Sequence, residues 1–381
     1  MSRFAAKEAV LDSFSQAALG AAVGYAVAGR RLGRRAIAFG ALAGTVPDLD
    51  NIALMLTDGW AEWRHHRGLT HGLFFAPVMG PLLGWIVWRM HNRTKPFEPA
   101  GSHDAAPAWI ALFFFGLLTH PLLDFFTIYG TQLLAPFDAT RFAMPGLGII
   151  DPGYTLPLFA ALIVALWRPR AGFSFLAVFA ALFATSAYLF YGVSNNAKVE
   201  ARARAQLAAE AVQPADVRVY TTIFQPWLRR IVVDEPEGAR VGFATADQKG
   251  AIAWLCFARQ HHPAIDAALA TPEGKLFAWF AMGEVWPSLA ASDDGSTMVR
   301  LTDRRYGVPG PTAQGWWGIE MRIAADGSVA EAPRRIDLPR GADGAALGQL
   351  FAASRGEANA LFAQAASAEE AAENCRASRS G

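Results

Sequence analysis

The feature that most constrains this chain is where its first half places ionisable residues. Asp48 with Asp50, the run His65-His66-Arg67-Gly68-Leu69-Thr70-His71, and His120 with Asp124 each border or interrupt a strongly apolar segment. Charge and imidazole are expensive to hold in such surroundings and need partners. A metal ion is the partner that best accounts for several carboxylates and imidazoles together. The only two cysteines, Cys256 and Cys375, lie in the C-terminal half. Two cysteines cannot build a thiolate zinc site, so the ligands must be His, Asp or Glu; the pair neither requires nor excludes one disulfide.

Hydropathy divides the chain in two. Residues 1–193 alternate apolar blocks with short polar loops and read as a helical transmembrane domain of about five or six apolar helices. The blocks are Phe14 to Ala28, Ala36 to Val46, Leu73 to Met90, Ala108 to Ile128, Tyr154 to Trp167 and Phe173 to Tyr191. The stretches 14–28 and 154–167 are short beside the roughly 20 residues that a spanning helix needs. Met1 to Asp12 does not resemble a cleavable signal. Residues 194–214 read as a polar helical linker, with Lys198, Glu200, Arg202, Arg204 and Glu210 among alanines.

From residue 215 to 344 the pattern is that of a small β-rich soluble domain. Strands are expected at Val217 to Phe224, Leu228 to Val233, Ala251 to Phe257, Lys275 to Met282, Thr297 to Asp303 and Trp316 to Ile323, with turns at Glu235-Pro236-Glu237-Gly238, Asp293-Asp294-Gly295 and Ala325-Asp326-Gly327. Residues 345–381 read as a polar, alanine-rich helix or a frayed tail. The fold class expected is thus a mainly α polytopic membrane domain followed by a small β domain. A formal net charge of +1 gives no nucleic-acid footprint.

Basic residues orient the helices. The loops at 30–35, 89–95 and 168–170 hold nine Lys or Arg, and the alternate loops at 57–72 and 129–153 hold three: Arg64, Arg67 and Arg141. By the positive-inside rule the nine face the cytoplasm. All three polar clusters then fall at the external end of their helices, at one level of the membrane. The C-terminal domain is external too if Tyr154 to Trp167 crosses, and cytoplasmic if it does not.

The spacing admits one centre. His120 and Asp124 are four apart and share a helix face. Asp48 and Asp50 diverge on a helix but share a face on extended backbone after Pro47. His66 and His71, with Gly68 between, fit a loop feeding a helix that starts near Thr70. Asp48, Asp50, His66, His71, His120 and Asp124 are the expected ligands, for one or two ions. The donor set suits Zn²⁺, with Mn²⁺ or Fe²⁺ as alternatives. Arg67 can pair with an acidic ligand or bind a phosphate oxygen, and Arg67 and Thr70 are the expected catalytic residues, orienting substrate. His65 reads as a supporting or solvent-facing residue. Asp151 either joins the site or caps the next helix.

These residues resemble the membrane-bound metal-dependent hydrolases, some of whose members are described as LexA-binding inner-membrane hydrolases. The motifs run in order over roughly residues 10–195. They are D-S-x-[ST]-[HQ] at Asp12 to Gln16, P-D-x-D at Pro47 to Asp50, H-R-x-x-[TS]-H at His66 to His71, and [TS]-H-x-x-x-D at Thr119 to Asp124. One branch adds T-x-Y-G-T-Q at Thr127 to Gln132 and I-D-P-x-Y-T-L-P-L at Ile150 to Leu158. Gln16 stands where other branches have His, and Met144-Pro145-Gly146-Leu147 departs from the run expected before the I-D-P motif.

The resemblance implies a multi-pass protein of the bacterial inner membrane with hydrolase activity, and adds Gln16 to the candidate ligands. A weaker likeness to zinc-dependent phospholipase C and P1-type nuclease folds points to a phospholipid or other phosphodiester substrate. Two other classes fit the same residues: a metal-ion or proton carrier, and a membrane scaffold whose β domain binds a partner that the sequence does not name.

Overall fold

The computed structural model describes residues 5–54, 56–93, 105–148, 151–307, 313–338, 348, 351–355 and 375, with backbone alone for 5–12 and 93. The chain divides into two compact units, Met1–Tyr191 and Gly192–Gly381. The expected tail helix at 345–375 lies largely outside the described residues, as does the loop at 94–104.

The first unit is helical. α1 (Ala5–Leu32) and α2 (Arg34–Thr45) form a hairpin at Gly33, whose φ of 58° is left-handed backbone that suits glycine. Gly20 and Gly24 of α1 meet Gly40 and Gly44 of α2. A Cβ on Gly44 would stand 2.4 Å from the Gln16 carbonyl oxygen, so the two backbones touch. Without a hydrophobic driving force in lipid, such close approach of small residues is a main source of helix association.

A 3-10 turn (Pro47–Leu49), α3 (Asp50–Leu54), α4 (Ala61–His65) and a second 3-10 turn (Leu69–His71) follow. Then come α5 (Phe75–Arg93), α6 (Ala106–Phe125), α7 (Pro152–Trp167) and α8 (Gly172–Ala209). One core packs Tyr25, Leu158, Leu162 and Val178 from α1, α7 and α8, and a second packs Ala36 and Ala43 against Trp109 and Leu112.

The structure has fewer candidate spans than the five or six expected. Among the described residues, α6 and α8 alone are long and apolar enough to cross a membrane. A third is added if residues 61–71 and 75–92, bent by 68°, count as one broken span. The shortfall has a geometric cause. At 1.5 Å per residue the 12 residues of α2 reach only about 18 Å and the 16 of α7 about 24 Å, against a core of about 30 Å. α7 is nonetheless apolar outward, with Leu156 and Ile163 exposed.

The second unit contains two four-stranded antiparallel sheets, each in sequence order. β1 (Asp216–Thr221), β2 (Arg229–Glu235), β3 (Gly238–Ala244) and β4 (Trp254–Ala258) form one. β5 (Val285–Ala291), β6 (Thr297–Asp303), β7 (Trp317–Ile323) and β8 (Val329–Asp337) form the other. Two short helices, α9 (Pro263–Ala270) and α10 (Pro272–Phe280), lie between.

The strand expected at Lys275 to Met282 is therefore helical over most of its length. Thr271 caps α10 by accepting from Gly274 N, with Pro272 at the first helical position. Residues 194–209, read as linker, continue α8, and their apolar face (Val199, Ala203, Leu207) is fully buried against Val217, Ile231 and Val233. Asp234 at the end of β2 pairs with Arg304, which also reaches Glu284 at 2.7 Å, so one ion network ties the two sheets. A disulfide joins Cys256 on β4 to Cys375.

Candidate metal centre

Pro47 begins a 3-10 turn directly after α2, and this turn separates the two acidic residues expected to act together. Asp48 turns toward α6 while Asp50 turns toward the His66–His71 loop. Extended backbone would have aimed both the same way; helical backbone two residues apart does not.

Four donor atoms converge. His71 Nε2 lies 3.0 Å from His120 Nε2, 3.3 Å from Asp48 Oδ1 and 3.4 Å from Asp124 Oδ2. His120 Nε2 lies 3.4 Å from Asp48 Oδ1 and 3.6 Å from Asp124 Oδ2. His71, His120 and Asp124 are buried, and Asp48 is half-buried. Zinc bonds of about 2.0–2.1 Å in tetrahedral array put neighbouring donors about 3.3 Å apart. The five separations between the imidazoles and from each imidazole to the two carboxylates lie close to that value.

The surrounding hydrogen bonds fix which nitrogen faces the centre. His120 Nδ1 is 2.5 Å from the carbonyl oxygen of Gly44, which can only accept, so Nδ1 donates. Thr70 Oγ1 donates to Asp50 Oδ2 at 2.9 Å and therefore accepts from His71 Nδ1, also at 2.9 Å. In the neutral imidazoles both Nε2 atoms then carry lone pairs aimed at each other and at two carboxylates. Asp124 Oδ2, buried among them, accepts no hydrogen bond. A buried acceptor without a donor calls for an explanation, and a cation supplies one.

Behind these four stands a supporting layer. Asp124 Oδ1 accepts from Gln16 Nε2 at 2.9 Å and faces Arg67 Nη2 at 3.3 Å. Gln16 thus presents its amide nitrogen to a carboxylate rather than an oxygen to the centre. Arg67 is buried as well. It donates to Thr127 Oγ1 at 2.7 Å and lies 4.6 Å above the Tyr129 ring, which Arg141 also flanks at 5.2 Å. Its place is beside Asp124, which realises the first of the two roles the sequence left open. Its φ of 58° is left-handed, an unusual conformation for a non-glycine and one that clusters at functional sites.

Asp50 and His66 sit one step further out, joined by Nδ1 to Oδ1 at 3.0 Å. Asp48, His66 and His71 form a second group, and in both groups the donor atoms lie within 4.8 Å of one another. His71 belongs to both groups, but its Nε2 lone pair already faces His120 and Asp124. His65 is exposed and outside both groups. Asp151 is the N-cap of α7: Oδ1 accepts from Gly153 N, and both oxygens accept from Tyr188 at 2.9 and 3.0 Å. It lies in neither group of candidate ligands.

Sequence reasoning passed over the Gly44 carbonyl first of all, and named Thr127 and Tyr129 only as part of the T-x-Y-G-T-Q motif, without a role. The signal for the first was the paired small-xxx-small spacing of Gly20, Gly24, Gly40 and Gly44, which marks close helix contact.

Comparison with known proteins bears on this unit. Uncharacterized protein YfhP of Bacillus subtilis (strain 168) is 26% identical over 148 residues, 38% of this chain and 41% of the relative. The chain thus spans about two fifths of that relative's length. No solved structure matches. Residues 11–197, which contain the whole candidate centre, match the family described as YdjM inner membrane protein, and this similarity supports a membrane location for the chain.

Proposed function

We propose that this chain is a multi-pass inner-membrane hydrolase that depends on a divalent metal ion, with a phosphodiester or related ester as substrate. The observation that carries the reading is the approach of Asp48 Oδ1 and Asp124 Oδ2 to the paired His71 Nε2 and His120 Nε2, at 3.3–3.6 Å, with Asp124 Oδ2 accepting no hydrogen bond. These four residues would hold the ion, and two imidazoles with two carboxylates favour Zn²⁺, then Mn²⁺ or Fe²⁺. When bound, such an ion supplies a Lewis acid and lowers the pKa of a coordinated water toward neutrality.

The chain's own residues do the orienting. Thr70 and the Gly44 carbonyl hold the two imidazoles in one tautomer, as metal-ligating histidines generally require. Gln16 and Arg67 occupy Asp124 Oδ1 and so leave Oδ2 to the centre. Asp50, bonded to both Thr70 and His66, anchors the outer side.

The site is assigned to the external face, and the β unit joins it there on the condition that α7, about 24 Å long, crosses the membrane. The excess of Arg and Lys in the loops at 30–35, 89–95 and 168–170, on the opposite side from the site, supports this. So does the Cys256–Cys375 disulfide, since such bonds persist in oxidising compartments. The test is hydrolysis of a chromogenic phosphodiester by detergent-purified full-length protein. Turnover should disappear on chelation and in His120→Ala, and return with Zn²⁺ in the wild type. Turnover indifferent to both treatments would contradict the reading. A reporter fused after Val193 that is active only in the cytoplasm would overturn the orientation.

A further inference from the structure

Beside the centre lies a cavity of about 280 Å³. Asp50 and Thr70, which bond to the outer side of the candidate metal centre, form part of its wall, so it lies next to the centre. Arg64 and His65 line it with cationic and imidazole groups, opposed by the carboxylates of Asp50 and Asp138, while Leu54 and Leu69 make it partly apolar. Among the described residues the Arg64 guanidinium has a single ion pair, a long one to Asp58 at 3.4 Å between half-exposed partners. An exposed pair of this kind contributes little and leaves the guanidinium available.

The surface around the mouth is unusual for a polar site. Leu69 is 59% exposed, Ile52 61%, Leu56 87% and Phe137 77%. These residues belong to the same short segments as the lining residues Asp50, Leu54, Thr70 and Pro136. Large apolar side chains left exposed on the segments that line a cavity suit a surface that meets lipid or an apolar ligand. The cavity is smaller than the roughly 300–1,000 Å³ of sites that enclose a whole drug-sized ligand. It has room for a headgroup and leaves acyl chains outside.

We propose that this cavity is a headgroup site for a phosphate-bearing membrane lipid. Arg64 recognises the phosphate, and the chains stay in the bilayer against Leu54, Leu69 and their exposed neighbours. Guanidinium and phosphate oxygens match as charge-assisted, two-pronged partners. The proposal rests on the hydrolase reading only for what happens next; lipid binding itself needs neither metal nor turnover.

The test uses full-length protein in nanodiscs with a phosphatidylglycerol that carries a photoreactive group in its acyl chain. Crosslinked peptides are mapped by mass spectrometry, with labelling of the outer face of α8 as internal reference. Label is expected on residues 49–54, 69–74 and 134–139, and should fall about tenfold in Arg64→Gln, the scale of one lost charge-assisted contact. The His71→Ala/His120→Ala double variant should keep the wild-type pattern, which separates failure of this proposal from failure of the metal centre.

A diacylglycerol probe without phosphate should label these segments weakly and without regard to Arg64. Equal labelling by both probes would overturn the headgroup assignment, as would a pattern unchanged by Arg64→Gln. Complete competition by water-soluble glycerophosphoglycerol at the lipid's own concentration would overturn the membrane route.

Discussion

His120 Nδ1 lies 2.5 Å from the carbonyl oxygen of Gly44, so the backbone of α2 orients an imidazole on α6. That carbonyl is within reach because α1 and α2 touch at glycines. A Cβ added to Gly44 would stand 2.4 Å from the Gln16 carbonyl oxygen and 3.0 Å from the Gly20 Cα. Gly44→Ala must therefore push α1 away, disturbing both His120 and the Gln16 contact to Asp124. Metal affinity should fall about 10–100-fold, the usual effect of losing an outer partner. Competition against a chelator of known affinity measures it; an unchanged affinity would contradict the role given to Gly44.

Thr70 is the corresponding partner of His71. Thr70→Val removes the acceptor for His71 Nδ1 and leaves Asp50 Oδ2 without its donor, while side-chain volume stays nearly constant. The same assay should show a loss of about 10–100-fold, with Thr70→Ser close to wild type. Equal losses in both variants would point to packing rather than to the hydroxyl.

The site was legible where sequence spacing and local structure agree. His120 and Asp124, on one helix face, meet as expected. Asp48 and Asp50 were grouped as ligands, but their relative aim depended on a backbone choice that the sequence left open; Pro47 starts a 3-10 turn and sends them to different layers. Gln16 and Arg67 were visible as residues, but their attachment to Asp124 is a tertiary fact.

In the second unit, Thr297 to Asp303 follows the Asp293-Asp294-Gly295 turn and forms the strand expected there. β3 (Gly238–Ala244) is buried along its whole length, so it lacks the polar alternation that announces a half-exposed strand. β5 carries Pro287, a residue that argues against a strand unless it lies at a sheet edge, which is where β5 is found. The number of spans was overestimated because apolar composition alone does not distinguish a helix packed on its neighbours from one long enough to cross.

Acid should weaken the second unit through Asp234. Burial by itself raises this carboxyl's pKa, but hydrogen bonds from Arg304 and Arg259 outweigh it and bring the value below the ordinary range. A lowered folded-state pKa stabilises above the unfolded value of about 3.9 and loses that contribution as pH falls below it. Glu284 has the opposite sign, because burial raises its pKa despite Arg304 and Arg218. Thermal unfolding of full-length protein, followed by tryptophan fluorescence between pH 7 and pH 3, should show a drop in Tm below about pH 4. Asp234→Asn should start lower and fall less steeply. A steeper acid loss in that variant would contradict the assignment.

The disulfide spans 119 residues of sequence, so its removal frees a long loop. Cys256→Ser should lower the stability of the second unit by about 2–5 kcal/mol. Thiol trapping during extraction from cells should find Cys256 and Cys375 unreactive until reductant is added. Two free thiols at extraction would contradict the oxidised pair and remove its support for an external β unit.

The central claim is that Asp48, His71, His120 and Asp124 hold a metal ion, and elemental analysis of detergent-purified protein tests it most directly. One equivalent of a transition metal, predominantly zinc, is expected in the wild type. It should be absent from a folded His71→Ala/His120→Ala double variant and retained, with lower affinity, in Thr70→Val. Metal-free wild type after expression and reconstitution in excess zinc, with the fold intact, would contradict the account. So would a double variant that holds the ion as tightly as the wild type.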